Sequence, residues 1–228
     1  MRNIAIIPCY NEGRTIGEIV TKCKKYVDDV IVVDDQSIDD TAAVAQEKGA
    51  IVVRTSGEHG PGKACSFGIL SALQMGADVI VTLDGDGQHD PEEIPNLLKS
   101  CRDSDAVITS RFLDNSTKVP FYRKLGIWLI TVAYNFNSKV AITDSQCCFR
   151  AFHRKVFERI SITEKGFGFS TELLIKLRQT GFSIREIPTR VFYFDDFSSN
   201  SSMNPIKHGF MVLMNTIKWR IRCELLGG

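Results

Sequence analysis

A mostly parallel α/β fold is predicted by three features of the sequence: short runs rich in Val and Ile, helical patterns alternating with them, and a break in that rhythm after Arg111. The runs are NIAIIP, DVIVVDD, AIVVRT and DVIVTLD, and the helical patterns between them cover residues 14–26, 41–48 and 63–75. Each run is continuous instead of alternating, as expected of strands buried on both faces of a sheet. A helix over 91–101, with Pro91 in its first turn, and a strand over 106–110 extend the pattern. Beyond Arg111 the sequence predicts a loop over 113–120, an amphipathic helix over 122–136 and a short strand over 148–152. A helix over 170–180, a strand over 183–194, a Ser/Asn-rich loop (FSSNSSMN) and a last helix over 205–226 complete the chain. We read one domain spanning 1–228, with two halves, 1–112 and 113–228, divided where the rhythm breaks.

Composition narrows the function. The 228 residues are 43% hydrophobic, enough for a sizeable core, and 28 Lys plus Arg against 27 Asp plus Glu leave no bulk positive field for nucleic acid. Seven scattered cysteines without a CxxC pair argue against a disulfide framework or a zinc knuckle and for a reducing compartment. The start MRNIAIIP is too short an apolar stretch for a signal peptide, and no apolar run approaches the roughly 20 residues that span a bilayer. The expected location is therefore the cytoplasm, with a membrane touched from the side and not crossed.

Ligands of open parallel sheets sit beyond the carboxyl ends of the strands. Here those ends carry PCYNEG, DDQSIDD and DGDGQHD, which bring Glu12, Asp34, Asp35, Asp39, Asp84 and Asp86 toward one rim. Carboxylates so crowded need a cation or a donor-rich ligand. Asp84 and Asp86 are one residue apart, glycines flank Asp86, and Gln88 adds a neutral oxygen, a set suited to Mg2+ or Mn2+ shared with a diphosphate. A calcium loop counted from Asp84 would need Gly at its sixth position and Glu at its twelfth, where His89 and Pro95 stand. GEHGPGKA matches the GxxxxGK of a nucleotide phosphate loop, but Ala64 replaces the Ser/Thr that holds magnesium. The plainer reading makes Lys63 a cation at a helix start near the donor.

The segments PCYNE, VVDDQSIDDT, GKA, DGDGQHDP, SRF, PFYRK, DSQCCFRAF and EIPTRV, in this order over residues 4–191, resemble the family-two glycosyltransferases, nearest to dolichyl-phosphate mannose and glucose synthases. The resemblance implies the GT-A nucleotide-diphospho-sugar transferase fold and an inverting, metal-dependent transfer from a GDP- or UDP-sugar to a polyprenyl phosphate. It implies that Pro8, Tyr10, Glu12, Val33 and Asp35 line the nucleotide, that Asp84, Gly85 and Asp86 hold the diphosphate and, with Gln88, the metal, and that Arg111 and Arg123 meet phosphates. Asp144 and Glu172 match acidic positions of the family, either functional or structural. His89 is expected beside the metal ligands, and His59, His153 and His208 at the surface or in packing.

The sequence departs from the pattern in three places. Gln36 replaces a glycine, which is tolerable where φ is negative; Cys148 and Phe149 stand where the family has Gly-Phe; and Asp195 and Asp196 occupy a loop that often carries Arg and Lys, with Lys207 a partial substitute. The helices at 122–136 and 205–226, the second with Lys207, Lys218, Trp219, Arg220 and Arg222, suit an anionic membrane surface or a second copy of the chain. A family-two enzyme with a soluble or glycan acceptor, and a non-catalytic nucleotide-sugar binder, share the same donor site and remain alternatives.

Overall fold

In the computed structural model, residues 1–114, 117, 119–138, 140–193 and 205–225 are described, with 205–207 and 224–225 by their main chain alone. Asp195, Asp196 and the side chain of Lys207 therefore lie outside the described residues. The elements are β1 (Asn3–Cys9), α1 (Ile16–Cys23), β2 (Asp29–Asp34), α2 (Thr41–Glu47), β3 (Ile51–Arg54), α3 (Pro61–Gln74), β4 (Val79–Thr82), a 3-10 turn at Pro91–Glu93, α4 (Ile94–Ser100) and β5 (Ala106–Ser110). There follow α5 (Phe121–Asn135), β6 (Arg150–His153), α6 (Arg154–Phe157), α7 (Phe169–Gln179), β7 (Ile184–Pro188) and α8 (Pro205–Arg220).

One seven-stranded sheet runs in the order β3-β2-β1-β4-β6-β5-β7. The central strands bury both faces: Ala5, Ile7, Val32 and Val81 join one core cluster, while Ile4, Ile6, Ile31, Val33 and Ile80 join another across the sheet. β3 is the exception, because as the edge strand it leaves Ile51 and Arg54 exposed. β6 runs antiparallel to both β4 and β5, so the strand expected near 148–152 inserts into the sheet and brings the second half of the chain beside the first. Of the strand expected over 183–194, β7 covers Ile184–Pro188; Thr189 N adds one bond to Ser110 O at 3.0 Å, and Val191 then makes an isolated bridge with His89. That turn-off carries residues 189–193 across the rim where the acidic residues lie.

α8 packs against α5 and α7, with Arg220 Nη1 donating to Ala133 O at 2.8 Å and Thr216 Oγ1 to Thr171 Oγ1 at 3.2 Å. Val212, Thr216, Trp219 and Cys223, at helical spacing, form its buried stripe. Trp219 is thus a core residue and not the surface anchor the sequence suggested, and Arg220 is turned toward α5. The outer stripe of α8 (Phe210, Met214, Ile217, Ile221) and that of α5 (Phe121, Tyr122, Leu125, Trp128, Leu129, Val132) are exposed. Among the described residues no helix is long and apolar enough to cross a membrane. All seven cysteines are free.

Candidate active site

The acidic turn begins where β4 ends. Gly85 is buried so closely that an added Cβ would lie 2.5 Å from Cys9 Sγ, so only glycine lets this turn press on the end of β1. Gly87 follows Asp86 at φ +77, a conformation that favours glycine. Thr15 Oγ1 donates to Gly85 O at 2.5 Å, and Gln88 N donates to Asp86 Oδ1 at 2.9 Å, closing the turn on itself. Both aspartates are thereby held at the rim.

Burial and the neighbouring Asp86 push the Asp84 carboxyl up to about 7, with Arg150 and Arg111 pulling the other way. Burial also raises Asp86, offset in part by its bond from Gln88 N and by the charge of Arg123. Two like charges disfavouring each other's ionisation is the state a bound cation relieves. Among the described residues no group of three or more His, Cys, Asp or Glu side chains surrounds a common point, so it is Asp84 and Asp86 that are considered as carboxylate ligands. Such an all-oxygen, incomplete set fits Mg2+ or Mn2+, which keep places for phosphate oxygens and water. The Gln88 main-chain carbonyl accepts from Phe192 N at 2.9 Å, which ties the turn to the crossing segment.

His89 is buried with Nε2 3.8 Å from Asp84 Oδ2 and its ring tilted on Phe149 at 5.4 Å. Burial and the charge of Arg111 lower its pKa to about 3, so at neutral pH it is uncharged and the contact is no ion pair. Pro8 reaches a cavity of about 20 Å3 below the turn, shared with Thr82, Asp84, Cys148 and Arg150 and large enough for one water. Arg150 is buried there, donating to Cys147 O (2.7 Å), Ser145 O (3.0 Å) and Ser170 Oγ (2.6 Å), and so joins the 145–148 segment to α7.

On the nucleotide side, Tyr10 is exposed and meets His59 edge to face at 5.5 Å. Glu12 packs beside Gly85 and receives Thr15 N and Ile16 N on its main-chain carbonyl at 3.1 and 3.0 Å. Asp35 is buried, and its carboxylate is taken by Thr55 Oγ1 and by Gly60 N at 2.8 Å. Val33 is fully buried against α3, so it supports the pocket from beneath and does not line it. Asp34 and Asp39 also leave the rim cluster: Asp34 is buried with Arg54 Nε 2.9 Å away, and Asp39 accepts from Thr41 N and Gly13 N, both at 3.0 Å.

Two of the expected cations bond to groups of the chain itself. Lys63 Nζ donates to Ser56 O and Glu58 O, the latter at 2.9 Å, so it staples its own loop instead of facing the donor. The first N–H groups of α3, Gly62 N and Lys63 N, donate to Lys165 O at 2.9 and 3.2 Å, and a Cβ on Gly62 would lie 2.2 Å from Glu164 O. No phosphate can occupy that helix end, which removes the phosphate-loop reading. Arg111 forks onto the buried Asp144, Nε to Oδ2 at 2.6 Å and Nη2 to Oδ1 at 2.8 Å. Asp144 and Glu172 are both structural here; Glu172 accepts from Thr163 N (2.9 Å), Glu164 N (2.7 Å) and Lys176 Nζ (2.6 Å).

Arg123, on the first turn of α5, behaves differently. Its guanidinium lies over the Tyr193 ring at 5.2 Å, and among the described residues no carboxylate comes within ion-pair distance of it. Its charge offsets part of the rise at Asp86, and the Tyr193 ring it stacks on belongs to the segment that Phe192 N ties to Gln88 O. Tyr193 accepts from Arg111 Nη1 at 3.2 Å while stacking Arg123, and so sets both arginines. Gln36 stands at φ +65, contrary to expectation, with its Nε2 donating to Gly57 O at 2.9 Å.

These features can be set beside known proteins. Residues 4–161 match the model of glycosyl transferase family 2. The chain belongs to that family. It is 32% identical to the undecaprenyl-phosphate mannosyltransferase of Micrococcus luteus, with 82% of each chain covered. It is 27% identical to the UDP-N-acetylglucosamine–dolichyl-phosphate N-acetylglucosaminyltransferase of Methanococcus voltae, covering 82% of this chain and 84% of that one. Among solved structures, glucosyl-3-phosphoglycerate synthase of Mycobacterium tuberculosis, crystallised with Mn2+, UDP and phosphoglyceric acid, superposes with a TM-score of 0.76 at 18% identity over 96% of this chain and 77% of that one. The last likeness establishes the GT-A fold, and the family establishes a glycosyltransferase.

Proposed function

We propose that this glycosyltransferase moves a hexose from a nucleotide-diphosphate sugar, GDP-mannose or a UDP-sugar, to a polyprenyl phosphate, with inversion at the sugar and on the cytoplasmic face of a membrane. The observation that carries the reading is Arg123, a guanidinium without a carboxylate partner among the described residues, stacked on Tyr193 at the start of a helix whose outer side is apolar. An Arg fork offers directed donors to a phosphate. On α5 that fork stands where an acceptor phosphate would meet the donor, and an attached hydrocarbon chain would leave along Leu125, Trp128, Leu129 and Val132. Relatives named for undecaprenyl and dolichyl phosphate support the acceptor class.

Asp84 and Asp86, with Gln88 as a neutral third ligand, would hold Mg2+ or Mn2+, which when bound supplies positive charge to the leaving diphosphate. The acceptor phosphate is already anionic near neutral pH and needs no general base. Its oxygen forms the new bond to the sugar's anomeric carbon as the bond to the diphosphate breaks, with the nucleoside diphosphate as leaving group. Arg123 orients the attacking phosphate in line, and Arg111, fixed by Asp144 and Tyr193, holds that wall of the site rigid. We read the whole chain as one domain, with 1–112 holding the donor and 113–228 the acceptor. The exposed stripes of α5 and α8 would rest on the membrane surface as a peripheral contact.

The test is incubation with a panel of GDP- and UDP-sugars, Mg2+ or Mn2+, and either polyprenyl phosphate or soluble glycans, followed by product analysis. Glycolipid from one donor supports the reading. Transfer only to a soluble glycan, or donor binding without transfer to any acceptor, overturns it.

A further inference from the structure

The rim above β1 and β2 holds a feature that the acidic turn does not explain. Asp35, expected to meet the nucleotide, has its carboxylate closed off by Thr55 and Gly60, and is buried. What reaches solvent beside it is the His59 side chain, 56% exposed, next to Tyr10, 42% exposed. His59 is nonetheless held in place. Its Nδ1 is 3.0 Å from the main-chain carbonyl of Asp35, and its ring meets Tyr10 edge to face. A carbonyl oxygen can only accept, so Nδ1 carries the proton, and in the neutral ring Nε2 keeps a lone pair. The loop bearing it is in turn fixed by Gly60 N on Asp35, by Lys63 on two carbonyls and by Gln36 Nε2 on Gly57 O. An exposed acceptor on so constrained a ring costs little further ordering when a ligand arrives.

We propose that His59 reads the nucleobase of the donor: the base stacks at the Tyr10–His59 pair, and its ring N–H donates to His59 Nε2. The inference rests on the nucleotide-sugar reading above and adds the residue that recognises the base. Position supports it. His59 comes from the loop between β3 and α3 and rests on the Asp35 carbonyl at the end of β2, which lies two strands from β4, roughly 10 Å at sheet spacing, leaving room for a ribose between the base and a diphosphate at Asp84 and Asp86. Chemistry supports it too, since a lone pair at Nε2 attracts an N–H and repels phosphate oxygens. Uracil and guanine both present a ring N–H next to a carbonyl.

The experiment is calorimetric titration of the full chain, with Mn2+, using UDP, GDP, each nucleotide methylated at that ring nitrogen, and inorganic pyrophosphate, in wild type, His59→Phe and His59→Gln. His59→Phe keeps an aromatic face and loses the acceptor; as a substitution at an exposed side chain it leaves the fold intact, which circular dichroism checks. Expected is a loss of about tenfold for the better-bound nucleotide, the size of one hydrogen bond. Pyrophosphate should bind unchanged, His59→Gln should recover part of the affinity, and ring methylation should weaken wild type but not His59→Phe. Equal nucleotide affinity in wild type and His59→Phe overturns the inference and leaves the donor reading standing, as does an equal loss for pyrophosphate. Absence of nucleoside diphosphate binding in wild type removes both.

Discussion

Replacing Asp144 by Ala tests whether Arg111 is a structural element of the site. Asp144 has no exposed surface, and its oxygens receive Arg111 Nε at 2.6 Å, Arg111 Nη2 at 2.8 Å, Gln146 N at 3.0 Å and Cys147 N at 3.2 Å. Burial alone would raise its pKa, yet the charge and hydrogen bonds of Arg111 and the main-chain donors hold it below the ordinary carboxylate value. Its stabilisation is thus present above the unfolded-state pKa and is lost as pH falls through the lower folded value. Alanine would strand a buried guanidinium and three main-chain N–H groups, those of Arg111, Gln146 and Cys147, a class of change that costs about 3–5 kcal/mol. In a chain of this size that lowers the melting temperature by roughly 6–15 °C. Thermal unfolding at pH 7 and at pH 3 should show the deficit shrinking at the lower pH. A melting shift under about 2 °C, with transfer reduced all the same, would refute the structural role and return Arg111 to direct phosphate contact.

Below pH 7 the apparent affinity for Mn2+ should fall about tenfold per unit, because a proton on Asp84, raised to about 7 by burial and Asp86, must leave before metal binds; a flat profile from pH 5 to 8 would contradict this. In the metal-free protein the same raised pKa makes Asp84 a burden that grows as pH rises from the unfolded value toward 7. Its side chain keeps 46% of its surface in water, so the effect on melting should be small. Gln36→Val should cost about 2 kcal/mol in denaturant unfolding, because a β-branched residue tolerates φ +65 poorly, whereas Gln36→Gly trades relief of strain against the lost bond to Gly57 and should stay within about 1 kcal/mol. Leu125→Glu with Trp128→Glu, both on the exposed side of α5, should abolish sedimentation with anionic vesicles and leave the melting temperature within about 2 °C. Unchanged sedimentation would remove the peripheral membrane contact.

Much of the fold was legible because the central strands are buried on both faces and so read as unbroken Val/Ile runs. The antiparallel insertion of β6 was not, since strand direction depends on which distant segment a short run meets, and RAFH carries no local sign of Thr82 and Ile108 as its partners. Asp84 and Asp86 were legible because their spacing and flanking glycines are local. The Arg111 pairing was not legible for the opposite reason: its partner Asp144 lies 33 residues on, and nothing local in SRF announces it. Trp219 likewise read as a surface anchor until the stripe it shares with Val212, Thr216 and Cys223 packed inward. Tyr193 shows in sequence only as the middle of the aromatic run FYF, and His59, inside the glycine-rich GEHGPGKA, reads as no more than a surface or packing residue.

The most direct measurement of the central claim is the rate of sugar transfer to polyprenyl phosphate by Asp86→Ala, with the fold verified by thermal melting, alongside wild type with and without chelator. Loss of a carboxylate that holds the diphosphate should cut the rate at least about a hundredfold, near 3 kcal/mol, and chelator should do the same to wild type. Transfer at the wild-type rate by Asp86→Ala, or in the presence of chelator, would contradict a metal-bridged donor at the acidic turn.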